Sequence, residues 1–213
     1  MKNIVSLLLV ASFFVHASAQ GDTINISHYV FQSFTNGTVL LKTGIKEEYL
    51  LNLNSITEQI IFRRNGIYLE IAMPQTVDTV YIQNKKFIPI DKVYYELAIA
   101  SPVEFYIEYK CNLIPPGKPA GYGTTSQTGS ATSVSTLAGS GTIYQLKLPD
   151  DYKISPYKKY WIKKDNVFHH ANSVGQIAKI FPEKSKEIKQ FAKKNKIKFS
   201  NWNDVEKLIL SLQ

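Results

Sequence analysis

The stretch from Val93 to Lys110, VYYELAIASPVEFYIEYK, decides the fold that the sequence predicts. Apolar and polar residues alternate through both of its halves, which is typical of strands with one face in a core and the other in solvent. A two-residue loop would place Ile99 beside Glu104, whereas a three-residue connection through Ala100, Ser101 and Pro102 brings the apolar faces together. We therefore expect a hairpin at the centre of an antiparallel sheet.

That three-residue connection also predicts the register of the hairpin. It pairs residues of like polarity: Ile99 with Val103, Leu97 with Phe105, Tyr95 with Ile107, and Val93 with Tyr109. Leu97 and Phe105 are then expected on the same, inward face of the sheet. The outward face is expected to carry Tyr94, Glu96, Glu104, Tyr106 and Glu108.

Three carboxylates on one sheet face are a candidate catalytic group. In this register Glu96 lies diagonal to Glu104 and Glu108, with backbones about 7–8 Å apart. Inverting glycosidases hold their two carboxyl groups roughly 6.5–9.5 Å apart, and tyrosine rings suit a sugar. A carbohydrate-active hydrolase is one hypothesis. A solvated sheet face is the alternative that we favour, because alternating glutamates are typical of such a face.

Turn signals divide the preceding chain into further short strands. The predicted strands are His28–Phe34, Thr38–Lys42 after a turn at Asn36-Gly37, Tyr49–Leu53 closed by Asn52, Asn54 and Ser55, Gln59–Arg64, Ile67–Ile71, Val80–Gln83 and Phe87–Ile90. Asn65-Gly66 favours a type I′ turn that places Phe62 opposite Leu69. Pro89 indicates an edge strand, because proline donates no backbone hydrogen bond. The fold class expected is mainly β, an antiparallel sandwich or small open barrel.

The carboxyl-terminal part is predicted to be helical. Ser173 can cap a first short helix, Pro182 suits the first turn of a second, and Asn201 with Asp204 can start a third. We therefore expect an antiparallel β domain over 20–170, with a flexible Gly/Ser/Thr-rich loop at 115–141, and a Lys-rich unit of two to three helices over 171–213. Thr142–Leu148 and a hairpin around Lys164-Asp165-Asn166 complete the expected strands.

The amino terminus has the pattern of a secretory signal peptide. Lys2 precedes an apolar run from Ile4 to Val15, and Ala17-Ser18-Ala19 forms a small-residue cleavage site. The run is too short to cross a bilayer core of about 30 Å. Residues 1–19 are expected to be removed by cleavage after Ala19, which leaves an exported chain with no transmembrane segment.

Charge is concentrated in the last third of the chain. Residues 1–150 hold equal numbers of basic and acidic residues, 11 of each, while residues 151–213 hold 14 lysines and 6 acids, so the net charge of +8 comes from this part. The candidate partner surface consists of Lys186, Lys189, Lys193, Lys194 and Lys196. It could attract another envelope protein or an anionic envelope surface. Nucleic acid fits less well, since arginine and interleaved aromatic residues are sparse.

Other candidate sites have weaker patterns. His169 and His170 are adjacent on a predicted strand and so point to opposite faces, which does not favour a shared metal ion. Cys111 is the only cysteine and is expected to be a small buried residue with no intramolecular disulfide. Gly121-Tyr122-Gly123 lacks the strand and helix context of a phosphate-binding loop. We expect no cofactor and no metal site.

Several short motifs resemble one group of proteins. They are the signal peptide, Gly37-Thr38-Val39, Leu51-Asn52-Leu53-Asn54, Tyr94-Tyr95-Glu96-Leu97, Tyr122-Gly123 and the Lys-rich end. Together they resemble exported cell-envelope proteins of Bacteroidota to which no activity is assigned. The resemblance implies a periplasmic, outer-membrane-associated or extracellular location.

Three functions remain open from the sequence. The first is a non-enzymatic envelope interaction or assembly subunit, and the second is the hydrolase with Glu96, Glu104 and Glu108. The third is a β-barrel carrier of a small apolar ligand. An exposed apolar sheet edge would favour the subunit, convergent carboxylates in a cleft the hydrolase, and an enclosed apolar cavity the carrier.

Overall fold

A computed structural model describes residues 28–101, 103–114, 118–120, 124–126, 144, 148 and 152–212. Most of the described chain before residue 171 is in β-strands. In chain order the strands are β1 (Thr35–Leu41), β2 (Lys46–Asn54), β3 (Gln59–Arg64), β4 (Ile67–Glu70), β5 (Val77–Ile82), β6 (Lys85–Ile90), β7 (Val93–Ile99), β8 (Glu104–Ile114), β9 (Lys118–Ala120), β10 (Thr124–Ser126), β11 (Lys153–Lys164) and β12 (Val167–His170).

One antiparallel sheet contains all of these strands except β9 and β10, which pair with each other. Its order is β12-β11-β8-β7-β6-β5-β1-β2-β3-β4. Two meanders, β1 to β4 and β5 to β8, therefore meet where β1 pairs with β5. The sheet is not closed into a barrel. It curls enough for Tyr94 N to donate to the carbonyl oxygen of Glu58 at 3.2 Å, and the expected mainly antiparallel fold is confirmed.

Three short helices follow the sheet, as expected. They are α1 (Val174–Ile180), α2 (Ser185–Lys194), which follows a 3-10 turn at Pro182–Lys184, and α3 (Trp202–Leu210). Ser173 caps α1, with its hydroxyl accepting from Gln176 N, and the Asn201 side chain accepts from Asn203 N at the start of α3. No helix in the described ranges combines the length and apolar character needed to span a bilayer.

Sheet and helices share one apolar core. Leu51, Phe87 and Phe105 contribute from the inner face of the sheet, and Ile188 and Leu208 from the helices. The helical apolar stripes are therefore covered by the sheet, as their narrow width requires.

The register predicted for the central hairpin is wrong. Ile99 pairs with Phe105, and Leu97 pairs with Tyr106, because the register shifts between Leu97 and Ile99. A bulge of one extra residue exchanges the faces of all earlier residues of the strand. Phe105 lies on the inner face as expected, but Leu97 lies on the outer face, opposite to it.

The predictions for the first strands are also partly wrong. The segment from His28 to Phe34 is irregular, apart from an isolated bridge between Tyr29 and Asn54. Asn52 does not close β2 but lies buried within it, where its amide accepts from Phe31 N at 3.1 Å and donates to Phe31 O at 2.9 Å. A buried side-chain amide that forms hydrogen bonds with the backbone groups of an irregular segment in this way holds that segment against the sheet.

The positions of Gly37 and Pro89 were predicted wrongly from local pattern. Gly37 lies inside β1, where the absence of a side chain allows close approach by β5, rather than in a turn. Pro89 lies in β6, an interior strand of the sheet. The pairing of β5 with β6 ends at Phe87, so Pro89 lies where β6 has no β5 neighbour to receive a hydrogen bond.

Two predicted hairpins are confirmed. Asn65 and Gly66 both have positive φ, and Phe62 pairs with Leu69. The β11–β12 hairpin turns at Asp165 and Asn166, also with positive φ. The predicted strand Thr142–Leu148, apart from residues 144 and 148, lies outside the described residues, as do residues 1–27 with the cleavage site after Ala19 and most of the 115–141 loop.

Candidate functional site

The candidate carboxylates lie on two different faces of the sheet. Glu96 pairs with Ile107 and Phe87, so its side chain faces inward, and only 6% of the residue is exposed. Its two oxygens accept hydrogen bonds from Lys85 Nζ at 2.7 Å and from the Tyr109 hydroxyl at 2.5 Å. The structure therefore does not bring Glu96 together with Glu104 and Glu108, because the bulge in β7 turns the Glu96 side chain to the opposite face of the sheet.

Glu108 lies on the outer face and is 5% exposed. One of its oxygens accepts from Lys110 Nζ at 3.0 Å and the other from Trp161 Nε1 at 2.9 Å. Burial alone would raise the pKa of Glu108, but these hydrogen bonds lower it below its ordinary value. Glu108 is therefore an ionised carboxylate with donors on both oxygens.

Lys110 also binds Glu58, which lies in the turn between β2 and β3. Burial raises the pKa of Glu58, and the Glu108 charge adds to this, although Lys110 opposes both. Burial would lower the pKa of Lys110, but the two carboxylates raise it above its ordinary value. The three residues form a partly buried ion-pair network that links the β2–β3 turn to β8.

Glu104 lies at the start of β8, where it is more exposed. The Tyr106 hydroxyl donates to Glu104 Oε2 at 2.7 Å, and Lys163 Nζ lies 3.4 Å from the same oxygen. The Tyr106 hydrogen bond and the Lys163 charge lower the pKa of Glu104. A general acid at neutral pH needs a raised pKa, so Glu104 lacks the main property of that role.

A cleft beside β8 and β11 joins residues from distant parts of the chain. Its volume is about 430 Å³, and it is lined by Tyr29, Val30, Ser55, Lys85, Tyr109, Lys110, Pro156, Tyr157 and Lys158. Lys85 Nζ and Lys158 Nζ lie 5.9 Å and 5.4 Å from the centroid of the Tyr109 ring. Lysine and tyrosine are the side chains that give this cleft its chemistry.

No sequence pattern indicated this cleft. Lys85, Tyr109 and Lys158 belong to β6, β8 and β11, and none of them lies in a recognisable motif. Pairing of β11 with β8 places Lys158 opposite Tyr109. Only the order and register of the strands bring these residues together, and neither is visible in local sequence patterns.

One end of the sheet is an exposed apolar edge. Strand β4 is the terminal strand of the sheet as described, and its Ile67 and Leu69 are 60% and 43% exposed. Ile71 N donates to the carbonyl oxygen of Ile60 at 3.3 Å. Since backbone groups alternate in direction along a strand, the N–H group of Glu70 points away from β3.

The candidate lysines of the helical part lie on one exposed surface. Ile188 and Ala192 of α2 face the core. The opposite side of the helix carries exposed Lys186, Lys189, Lys193 and Lys194, and exposed Lys196 follows the helix. Their exposure agrees with the amphipathic pattern of the helix. These ammonium groups are available for contact with an anionic partner.

The remaining candidates do not form a reactive group. His169 pairs with Ile162 and His170 with Trp161, so the two imidazoles lie on opposite faces of β12. The ring centroids of His170 and Trp161 are 4.0 Å apart, and the two rings are tilted by 33°. Within the described ranges, His, Cys, Asp and Glu do not form a cluster of three that could hold a metal ion. Cys111 is half-buried, and burial raises the pKa of its thiol, which disfavours the reactive thiolate.

Comparison with models of protein families, with curated proteins and with solved structures found no match to this chain.

Proposed function

We propose that the protein is an exported, non-enzymatic subunit of the cell envelope that binds another envelope protein at the edge of β4. The exposed apolar edge at Ile67 and Leu69 carries this proposal. A strand from the partner would bond to the outward backbone groups of β4 and cover both side chains. Export is supported by the signal-peptide pattern of residues 1–19 and the resemblance to exported Bacteroidota proteins.

The lysines on and after α2 support a location close to an anionic surface. Exposed Lys186, Lys189 and Lys193 lie within two turns of one helix and have the charge to attract lipid headgroups or acidic glycans. A periplasmic, outer-membrane-associated or extracellular position is consistent with such a contact. The lysine surface would orient the subunit, and the β4 edge would select the partner.

The two other functions have less support. A hydrolase would need convergent carboxylates, whereas Glu96 faces away from Glu104 and Glu108, and each of the three accepts hydrogen bonds from its neighbours. A carrier of an apolar ligand would need an enclosed apolar cavity, whereas the cleft described above is open to solvent and has three lysines in its lining.

The edge is tested by replacing Glu70 with proline. Glu70→Pro removes the outward N–H group of β4 without removing a donor to β3, because the Glu70 N–H points away from β3. Wild-type and variant chains are isolated from the native envelope after chemical cross-linking, and mass spectrometry identifies the bound protein and the mature amino terminus. We expect a mature chain that starts at Gln20 and a partner cross-linked to β4 that Glu70→Pro loses.

Glu70→Ala is the matched control, because it removes the carboxylate and keeps the N–H group. The partner should stay bound to this variant. Equal recovery of the partner with Glu70→Pro, or cross-links that map away from β4, would contradict edge pairing. A chain that retains residues 1–19 would contradict export by signal cleavage.

A further inference from the structure

The two faces of β4 present different chemistry to a strand that is added at its edge. Leu69 pairs with Phe62, so both lie on the inner face of the sheet, where Phe62 packs against the apolar core. Tyr68 pairs with Arg63, so both lie on the outer face. Because successive residues of a strand point to opposite faces, an added strand meets apolar side chains on one face and polar side chains on the other.

The outer face of this edge carries an arginine above a tyrosine ring. The guanidinium carbon of Arg63 lies 6.0 Å from the centroid of the Tyr68 ring, and that ring packs against Phe34 with 5.1 Å between centroids. Arg63 is exposed, and within the described part of the chain no carboxylate oxygen lies within 4.0 Å of its side-chain nitrogens. Among the described residues, the positive charge of Arg63 therefore has no acidic partner.

The carboxylate of Glu70 limits where an acidic residue of the partner can lie. Glu70 is two positions after Tyr68 and shares its outer face, and its Oε2 accepts a hydrogen bond from the Tyr144 hydroxyl at 3.0 Å. An acidic residue opposite Glu70 would be repelled, because like charges directly opposite each other destabilise a sheet. An acidic residue opposite Tyr68 lies on a strand about 4.8 Å away and can extend over the Tyr68 ring to the guanidinium of Arg63.

We propose that the strand bound at the β4 edge alternates apolar and polar residues and places a carboxylate opposite Tyr68. Its apolar side chains cover Ile67 and Leu69, and its carboxylate pairs with Arg63 above the Tyr68 ring. This inference rests on the proposed function, because it assigns the chemistry of the partner that the edge receives. The partner is an envelope protein with an exposed segment of the pattern apolar, acidic, apolar.

Fluorescence anisotropy of the purified protein with two labelled heptapeptides tests this chemistry. The peptide Ser-Thr-Val-Glu-Val-Thr-Ser has the proposed pattern in either strand direction, and the same peptide with glutamine at its centre is the matched probe. We expect the glutamate peptide to bind about three- to fivefold more tightly, which is the strength of an ion pair at an exposed position. Arg63→Gln should remove this difference, because it removes the charge that the carboxylate pairs with.

Arg64→Gln is the matched control variant. Arg64 is also exposed, but it pairs with Ile67 and so lies on the inner face, away from the Tyr68 ring. This variant should keep the preference for the glutamate peptide. A preference that survives in Arg63→Gln, or that is lost equally in Arg64→Gln, would overturn the pairing with Arg63.

Glu70→Pro separates this inference from the proposed function. Loss of the outward N–H group of β4 should abolish binding of both peptides. Equal affinities of the two peptides for the wild-type chain, with both lost in Glu70→Pro, would overturn the acidic partner and leave the edge in place. Binding that survives in Glu70→Pro would contradict the edge itself. No saturable binding of either peptide would overturn this inference, while cross-linking in the native envelope would still test the edge.

Discussion

At Gly37, β1 lies close to both of its neighbouring strands. A Cβ atom there would lie 2.5 Å from the carbonyl oxygen of Tyr81 in β5 and 2.8 Å from Leu51 Cδ1 in β2. The carbonyl belongs to the backbone of a paired strand, so it cannot turn aside as a side chain can. Only glycine allows β1 to pair on both sides at this position.

Gly37→Ala should therefore reduce the free energy of unfolding by about 1–3 kcal/mol, the usual cost of overpacking. Urea unfolding of both proteins measures the change. Gly175→Ala is the matched control, because the nearest atom to its added Cβ lies 4.0 Å away and alanine favours the helix. That variant should lose no stability, and an unchanged midpoint in Gly37→Ala would contradict the close approach.

Glu104 gives the protein a pH dependence whose sign follows from its contacts. The Tyr106 hydrogen bond and the Lys163 charge lower the pKa of Glu104 in the folded state. A carboxyl group with a lowered folded pKa stabilises the protein above its unfolded pKa, and this contribution is lost as pH falls through the folded pKa. Tyr106→Phe removes the main donor and should raise the pKa of Glu104.

An NMR titration of the Glu104 carboxyl carbon measures that pKa in both proteins. Tyr81→Phe, which removes the hydroxyl of an exposed tyrosine elsewhere on the sheet, is the control and should leave the Glu104 titration unchanged. A Glu104 pKa that is the same with and without the Tyr106 hydroxyl would show that the hydrogen bond does not form.

At the scale of single elements, some signals that act over a few residues were read correctly from sequence, whereas the turn predicted at Asn36-Gly37 was not, because both residues lie inside β1. Ser173 caps α1, and the Asn65-Gly66 turn aligns Phe62 with Leu69. A cap or a two-residue turn depends on backbone groups only a few positions away, so its residues carry the information themselves.

The face of the sheet on which a strand residue lies depends on pairing with other strands, and this was predicted less well. Alternation in β7 placed Leu97 inward, but the bulge moves it outward and buries Glu96 instead. Burial of Glu96 is possible because Lys85 and Tyr109 donate to it, and both belong to other strands. The same dependence kept the lysine and tyrosine cleft out of the sequence prediction, since no local pattern specifies which strands become neighbours.

At the scale of the molecule, the helices complete the apolar core of the sheet. Val205, Leu208 and Ile209 are fully buried in the cluster that contains Phe105 and Ile162. Removal of the helices would expose the inner sheet face to water. Independent folding of the sheet is not expected.

Deletion of residues 172–213 should therefore abolish the cooperative unfolding transition of the sheet. Near-ultraviolet circular dichroism and binding of a hydrophobic dye measure the loss of packing. A double variant, Lys186→Gln with Lys189→Gln, changes only exposed charges and should unfold at nearly the wild-type midpoint. A truncated chain with the wild-type unfolding midpoint would mean that the sheet folds without the helices.

The junction of β1 with β5 is, with the pairing of β11 and β8, one of the two steps that join strands distant in sequence within the ten-stranded sheet. Pairs within each meander link residues close in sequence and form quickly, whereas β1 must wait for β5, which lies beyond three intervening strands. Before this junction forms, the two meanders are separate, and their apolar inner faces are exposed to water. The time β1 takes to meet β5 therefore contributes, together with the pairing of β11 with β8, to how long a newly made chain needs protection from aggregation.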